Sequence, residues 1–198
     1  MKRIITLSLL CLFCNLEGIA QEKSNKNTVF GAKAGYNLSS ITSYEDFNVK
    51  SGFHIGAVSE TFMSSKLALQ IELLFSTLGA ELETVDYLPN NYTGKFTLNY
   101  INIPVMAKYY LTNKFTIHFG PQVGFLVYKK YELDGTKKDI NRIINNADFG
   151  LNAGLGYEFN NNIFIETRGS FGVTKVLSQD YGNNRNIAFQ VSLGYKFR

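Results

Sequence analysis

The 198-residue sequence contains no tryptophan, only three prolines and two cysteines. Both cysteines, Cys11 and Cys14, sit in its opening stretch. Beyond that stretch the chain has no means of building a disulfide framework, a thiolate metal site or a cysteine nucleophile. It also lacks any later run approaching the roughly 20 apolar residues a membrane helix needs. A strong charge of one sign is missing too. Twenty basic residues against 16 acidic leave +4, too mild a balance to argue for nucleic acid. Histidine is scarce, with His54 and His118 the only two, which narrows the room for acid–base or metal chemistry.

The opening stretch has three parts. Lys2-Arg3 is a basic start, Ile4 to Leu16 is apolar, and Gly18-Ile19-Ala20 supplies small residues before Gln21. These are the parts of a secretory signal peptide over residues 1–20, which leaves residues 21–198 as one domain. Leu10 and Phe13 precede the cysteines where lipoprotein acylation wants a small residue, which argues against an acylated anchor.

The chain is rich in aromatic residues and glycine: 16 Phe, 12 Tyr and 17 Gly. They fall in a period of two. In the segment from Tyr100 to Leu111, Ile101, Ile103, Val105, Ala107 and Tyr109 alternate with residues such as Asn102 and Lys108. A polar turn, Thr112-Asn113-Lys114, leads to Phe115, Ile117 and Phe119, which alternate with Thr116 and His118. That is a strand–turn–strand unit with one apolar and one polar face. The parity recurs from Phe30 to Leu38, Phe53 to Ala57, Leu67 to Phe75, Val123 to Val127, Phe149 to Phe159, Ile163 to Val173 and Ile187 to Phe197. About eight strands of roughly ten residues result, with short and long connections in alternation, as in an outer-membrane barrel with short periplasmic turns and longer outer loops. Ser39 to Ser51 and Lys129 to Asn146 read as two of the long connections.

Periodicity alone does not say which face is inside. A soluble barrel packs its apolar row inward, and a membrane barrel reverses this. Residue size favours the reversal. The polar row is full of glycines, among them Gly31, Gly35, Gly56, Gly120, Gly124, Gly154 and Gly194, as suits the narrow interior of eight strands. Large residues such as Phe125, Phe149 and Phe189 are easily placed against lipid. The expectation is an all-β, eight-stranded, antiparallel up-and-down transmembrane barrel in the outer membrane.

The segment Gly31-Ala32-Lys33-Ala34-Gly35-Tyr36-Asn37-Leu38, the stretch Tyr100-Ile101-Asn102-Ile103-Pro104 running to Lys108-Tyr109-Tyr110, and the closing Leu193-Gly194-Tyr195-Lys196-Phe197 resemble the PorT-like outer-membrane β-barrel family of Bacteroidetes. The resemblance spans the chain past residue 20. It implies a barrel of the OmpA or OmpX kind and supplies no catalytic residues.

The polar row gathers Lys33, Glu60, Glu72, Lys108, Glu158, Glu166, Arg168 and Lys196, with His54 and His118. Four carboxylates and four fixed cations in a narrow lumen must pair to be tolerable. The eight form a structural charge network on this reading, with Glu72, Glu158 and Glu166 meeting Lys33, Lys108, Arg168 or Lys196. If water separates them, the lumen is instead a narrow, low-conductance porin-like channel. No catalytic, cofactor or metal residues are assigned. His54 is expected towards the outer end of its strand and His118 towards the periplasmic end of another, with no neighbouring Ser in a recognisable motif, so enzymatic function is not expected. The anticipated partners are outer-membrane lipid and, through the aromatic-ended last strand, barrel-assembly machinery. Charged, tyrosine-bearing loops (Asp86-Tyr87, Lys129-Lys130-Tyr131, Lys137-Lys138-Asp139, Asp180-Tyr181) leave room for an envelope partner. The role this suggests is structural or accessory.

Overall fold

A computed structural model describes residues 28–42, 47–84, 92–133, 136–138, 145–159, 162–176 and 184–197. Residues 1–20, where a signal peptide is expected, and the loop segments around Asp86, Asp139 and Asp180 lie outside the described residues. The described chain forms strands β1 (Thr28–Thr42), β2 (Phe47–Phe62), β3 (Leu67–Thr84), β4 (Tyr92–Tyr110), β5 (Phe115–Leu133), β6 (Thr136–Lys138), β7 (Ala147–Glu158), β8 (Ile163–Gly172) and β9 (Arg185–Phe197). Eight of them are staves of a closed antiparallel barrel in the order β4-β3-β2-β1-β9-β8-β7-β5, with β5 pairing back to β4. The three-residue β6 lengthens the sheet beyond β5 at one rim. No described segment forms a helix long and apolar enough to cross a membrane.

The alternation sorts side chains as a lipid-facing barrel requires. Phe30, Phe53, Phe125, Phe149, Phe189 and Phe197 are each about half exposed or more, whereas Lys33, Glu60, Glu72, Lys108, Glu166 and Arg168 are buried. In water this distribution would be inside out. Against hydrocarbon it puts the apolar row on the solvent that wants it.

At one end of the barrel the connections are tight. Met63 N–H reaches Leu67 O at 2.8 Å, Leu111 N–H reaches Phe115 O at 2.9 Å, and Phe159 N–H reaches Ile163 O at 2.8 Å. Asn162, at φ 65°, takes the left-handed conformation the last of these turns needs. At the other end the strands run further than their alternation suggested, up to 19 residues in β4 and β5. The expected connection from Ser39 to Ser51 is mostly strand, because β1 continues to Thr42 and β2 begins at Phe47. The expected loop after Lys129 likewise begins as the end of β5. A bulge conceals this from the pattern. Asn99 pairs with Tyr128 but Tyr100 pairs with Leu126, so Val127 and Tyr128 both face outward and the parity reverses beyond them.

The inward glycines do more than leave room in the lumen. A Cβ on Gly56 would lie 1.9 Å from the Leu73 carbonyl oxygen, and one on Gly120 would lie 2.0 Å from that of Val105. These positions let neighbouring backbones close in as the sheet curls into a small barrel. Elsewhere a glycine accommodates a side chain of the next strand: Gly194 lies under the Phe164 ring and Gly154 under His118.

Candidate functional site

The turn end of the lumen is filled by charge. Arg168, on β8, places both terminal nitrogens on Glu72 of β3, at 2.9 and 2.6 Å. Lys33, from β1, reaches Glu72 at 2.9 Å and Glu166 at 3.0 Å. Lys108, from β4, contacts Glu60 at 3.3 Å, Glu158 at 3.2 Å and Glu166 at 3.4 Å. Lys196, from β9, reaches Glu60 at 2.7 Å and also pairs with Glu158. All eight charges singled out from the sequence are therefore linked in one network. Its members come from β1, β2, β3, β4, β7, β8 and β9, so the contacts cross the lumen as well as following its wall.

Neutral groups complete the network. Gln70 donates to Glu72 at 2.5 Å and to Glu166 at 3.3 Å, while its carbonyl accepts from Lys108 at 3.1 Å. The Tyr110 hydroxyl donates to Glu158 at 2.6 Å and also contacts Glu60. The Lys108 and Lys196 ammonium groups lie 5.6–5.9 Å from the ring centres of Tyr110 and Phe164, within cation–π range. Gln70, Tyr110 and Phe164 escape sequence reasoning. Gln70 carries no charge to mark it, and large rings on a polar row look like breaks in the pattern.

His54 departs from expectation. It sits mid-strand on β2, not at an end, and a serine meets it. Its Nε2 lies 2.8 Å from Ser192 Oγ on β9, and its Nδ1 lies 2.7 Å from Asn37 Oδ1 on β1. Asn37 Oδ1 also accepts from Gln190 at 3.1 Å, which orients the amide so that His54 donates through Nδ1 and receives the Ser192 proton at Nε2. The order resembles a nucleophile–base–orienter chain. Ser192, however, is 4% exposed and faces the lumen from within the barrel wall. This chain ties β1, β2 and β9 together. His118 is separate, in the row between Lys108 and Gly154.

Towards the opposite end the lumen turns largely apolar, with a buried Lys50 that donates to Leu78 O at 3.3 Å and to Thr97 Oγ1 at 2.8 Å. Ile41, Leu78, Ala80, Leu98, Tyr100, Val176 and Ala188 form one buried cluster, with Leu126 against it. Val176 enters from the connection after β8, held by Asn145 N–H to its carbonyl and by its own N–H to Asn184 O, both at 2.9 Å. Just below, Asp148 accepts from Thr174 at 2.8 Å and from Asn186 at 3.1 Å. Among the described residues no cation pairs with it.

A family model for the outer membrane protein β-barrel domain matches residues 19–178. The chain belongs to that family. Its place is therefore the outer membrane, with the tight turns on the periplasmic side. Solved barrels have the same fold at low identity. Neisserial surface protein A superposes with a TM-score of 0.57 at 11% identity, over 86% of this chain and 99% of its own. Ail of Yersinia pestis gives 0.51 at 12%, with the same coverage. A major outer membrane protein of Thermus thermophilus gives 0.50 at 13%, over 86% and 99%. No curated protein matches the sequence.

Proposed function

We propose that this outer-membrane barrel is a closed structural or accessory component of the envelope that carries recognition, where it has any, on its outer strands and loops. The observation behind this reading is the paired, buried charge network that crosses the periplasmic half of the lumen. Groups so paired leave little free charge to attract a permeating ion, and removing one partner is costly. The outer rim supplies the surface for contact. The Phe96 and Tyr131 rings stack at 4.5 Å, Lys95 pairs with Glu81 at 2.7 Å, and Tyr128 stands half exposed. Within the family, the Tyr100–Pro104 stretch and Lys108-Tyr109-Tyr110 support a place among the PorT-like proteins of Bacteroidetes. The aromatic end of β9 supports delivery by barrel-assembly machinery. We assign no catalysis, since the His54–Ser192 contact lies inside the wall of the barrel.

Single-channel recording of the refolded barrel in a planar bilayer tests the reading. The wild type is expected to be silent. Stable openings in the wild type would replace the closed reading with that of a narrow channel.

A further inference from the structure

The two walls of the lumen differ in how their polar groups are satisfied. Among the described residues, the buried side-chain atoms without a hydrogen-bond partner in the protein are Ser76 Oγ, Asn99 Oδ1, Asn102 Oδ1, Thr116 Oγ1, both ring nitrogens of His118, and Asn152 Oδ1. None belongs to β1, β2, β8 or β9. Asn99 lies on the outward row, at the β4–β5 bulge. The others line the inner faces of β3, β4, β5 and β7, at successive heights. Thr116 lies between Tyr110 and Gly156, and His118 between Lys108 and Gly154. Asn152 lies beside Gly120, Asn102 beside Gly124, and Ser76 beside Tyr100, which itself pairs with Leu126. Gln122 fills the intervening row and accepts from Asn152 Nδ2 at 3.2 Å.

Buried polar groups rarely go unbonded, and in a polar site the missing partner is water. A single such atom would call for a local explanation. Six atoms rising along the wall made by β3, β4, β5 and β7, facing a wall with none, call for a common one. We propose that a continuous file of water molecules runs up the inner face of β5, from Thr116 to the level of Asn102 and Ser76, beside the charge network. Its periplasmic mouth is marked by Glu158, the most exposed member of the network at 11%, which is the next inward residue of β7 after Gly156. Its upper end is blind, beneath the apolar cluster of Ile41, Leu98 and Val176. Asp148, in the same cross-strand row as Gly124 and Asn102 and without a cation partner among the described residues, makes that blind end attractive to a small monovalent cation. The lumen is thus a half-channel open to periplasmic water and stopped by a short hydrophobic plug.

The two histidines give an internal control, because both are buried and only His54 is bonded through both nitrogens. Synchrotron hydroxyl-radical footprinting of the full barrel in lipid nanodiscs, read by mass spectrometry, is expected to modify His118 several-fold faster than His54. Equal rates would overturn the proposal. Continuity is tested by opening the plug. A Leu98→Ser/Val176→Ser barrel, shown folded by circular dichroism, is expected to pass a cation-selective current that Asn152→Leu abolishes and Gln190→Leu, on the bonded wall, does not. A folded but silent plug variant, or a current indifferent to Asn152→Leu, would overturn the file. The proposal goes beyond the closed-barrel reading, and the two can fail separately. A conducting wild type would sink the closed barrel without touching the histidine contrast.

Discussion

Arg168 and Glu72 show what single residues contribute here. Two parallel hydrogen bonds join a planar guanidinium to a carboxylate, a geometry lysine cannot reproduce. Both side chains are at most 2% exposed, so neither has water to fall back on. Arg168→Ala, which leaves Glu72 with Lys33 and Gln70 only, is expected to lower stability by about 3–5 kcal/mol. Replacing both residues together with methionine should recover most of that, because no charge is then stranded. Urea unfolding of the refolded barrels, followed by circular dichroism, measures both. The membership of this network was legible in the sequence, since eight charges shared one parity within apolar alternation. Its pairing was not. Register decides which residues meet, and Arg168 and Glu72 are 96 positions apart. The His54–Ser192 contact spans 138 positions and was hidden for the same reason.

At the level of strands, parity was readable wherever one face met lipid and the other the lumen. It failed where that contrast ends. Beyond the bulge at Val127 and Tyr128 the sheet rises past the apolar belt, and the charged continuation of β5 read as loop. The inner row also holds Leu74, Met106, Tyr100 and Phe164, all buried, because a lumen filled only by ion pairs would leave gaps between their stems. Glycines on that row were read as space, and several are points of backbone contact instead. Gly56→Ala should therefore be costly, at about 1–3 kcal/mol or more, since the clash is with the fixed carbonyl of Leu73. Gly150→Ala, whose added carbon would lie 2.9 Å from the Phe171 carbonyl oxygen, should cost less. Thermal unfolding of the two variants in the same detergent ranks them.

For the molecule as a whole, the arrangement separates two kinds of electrostatics. The rim pair Lys95–Glu81 is 47% and 36% exposed and lies within reach of salt. The lumen network does not. Raising salt to about 1 M, where the screening length falls to about 3 Å, should leave the stability gap between wild type and Arg168→Ala nearly unchanged. A gap that shrinks with salt would mean that ions enter the network. The strands also divide the charges unevenly. The segments joined by tight turns, β2–β3, β4–β5 and β7–β8, together bring Glu60, Glu72, Glu158 and Glu166 but only Lys108 and Arg168 to the network. The remaining two cations, Lys33 and Lys196, ride on β1 and β9, which meet at the seam where the chain's first and last strands pair. A sheet still open at that seam would face hydrocarbon with unneutralised acids. Zipping the seam delivers the missing lysines, so electroneutrality becomes a built-in check that assembly is complete.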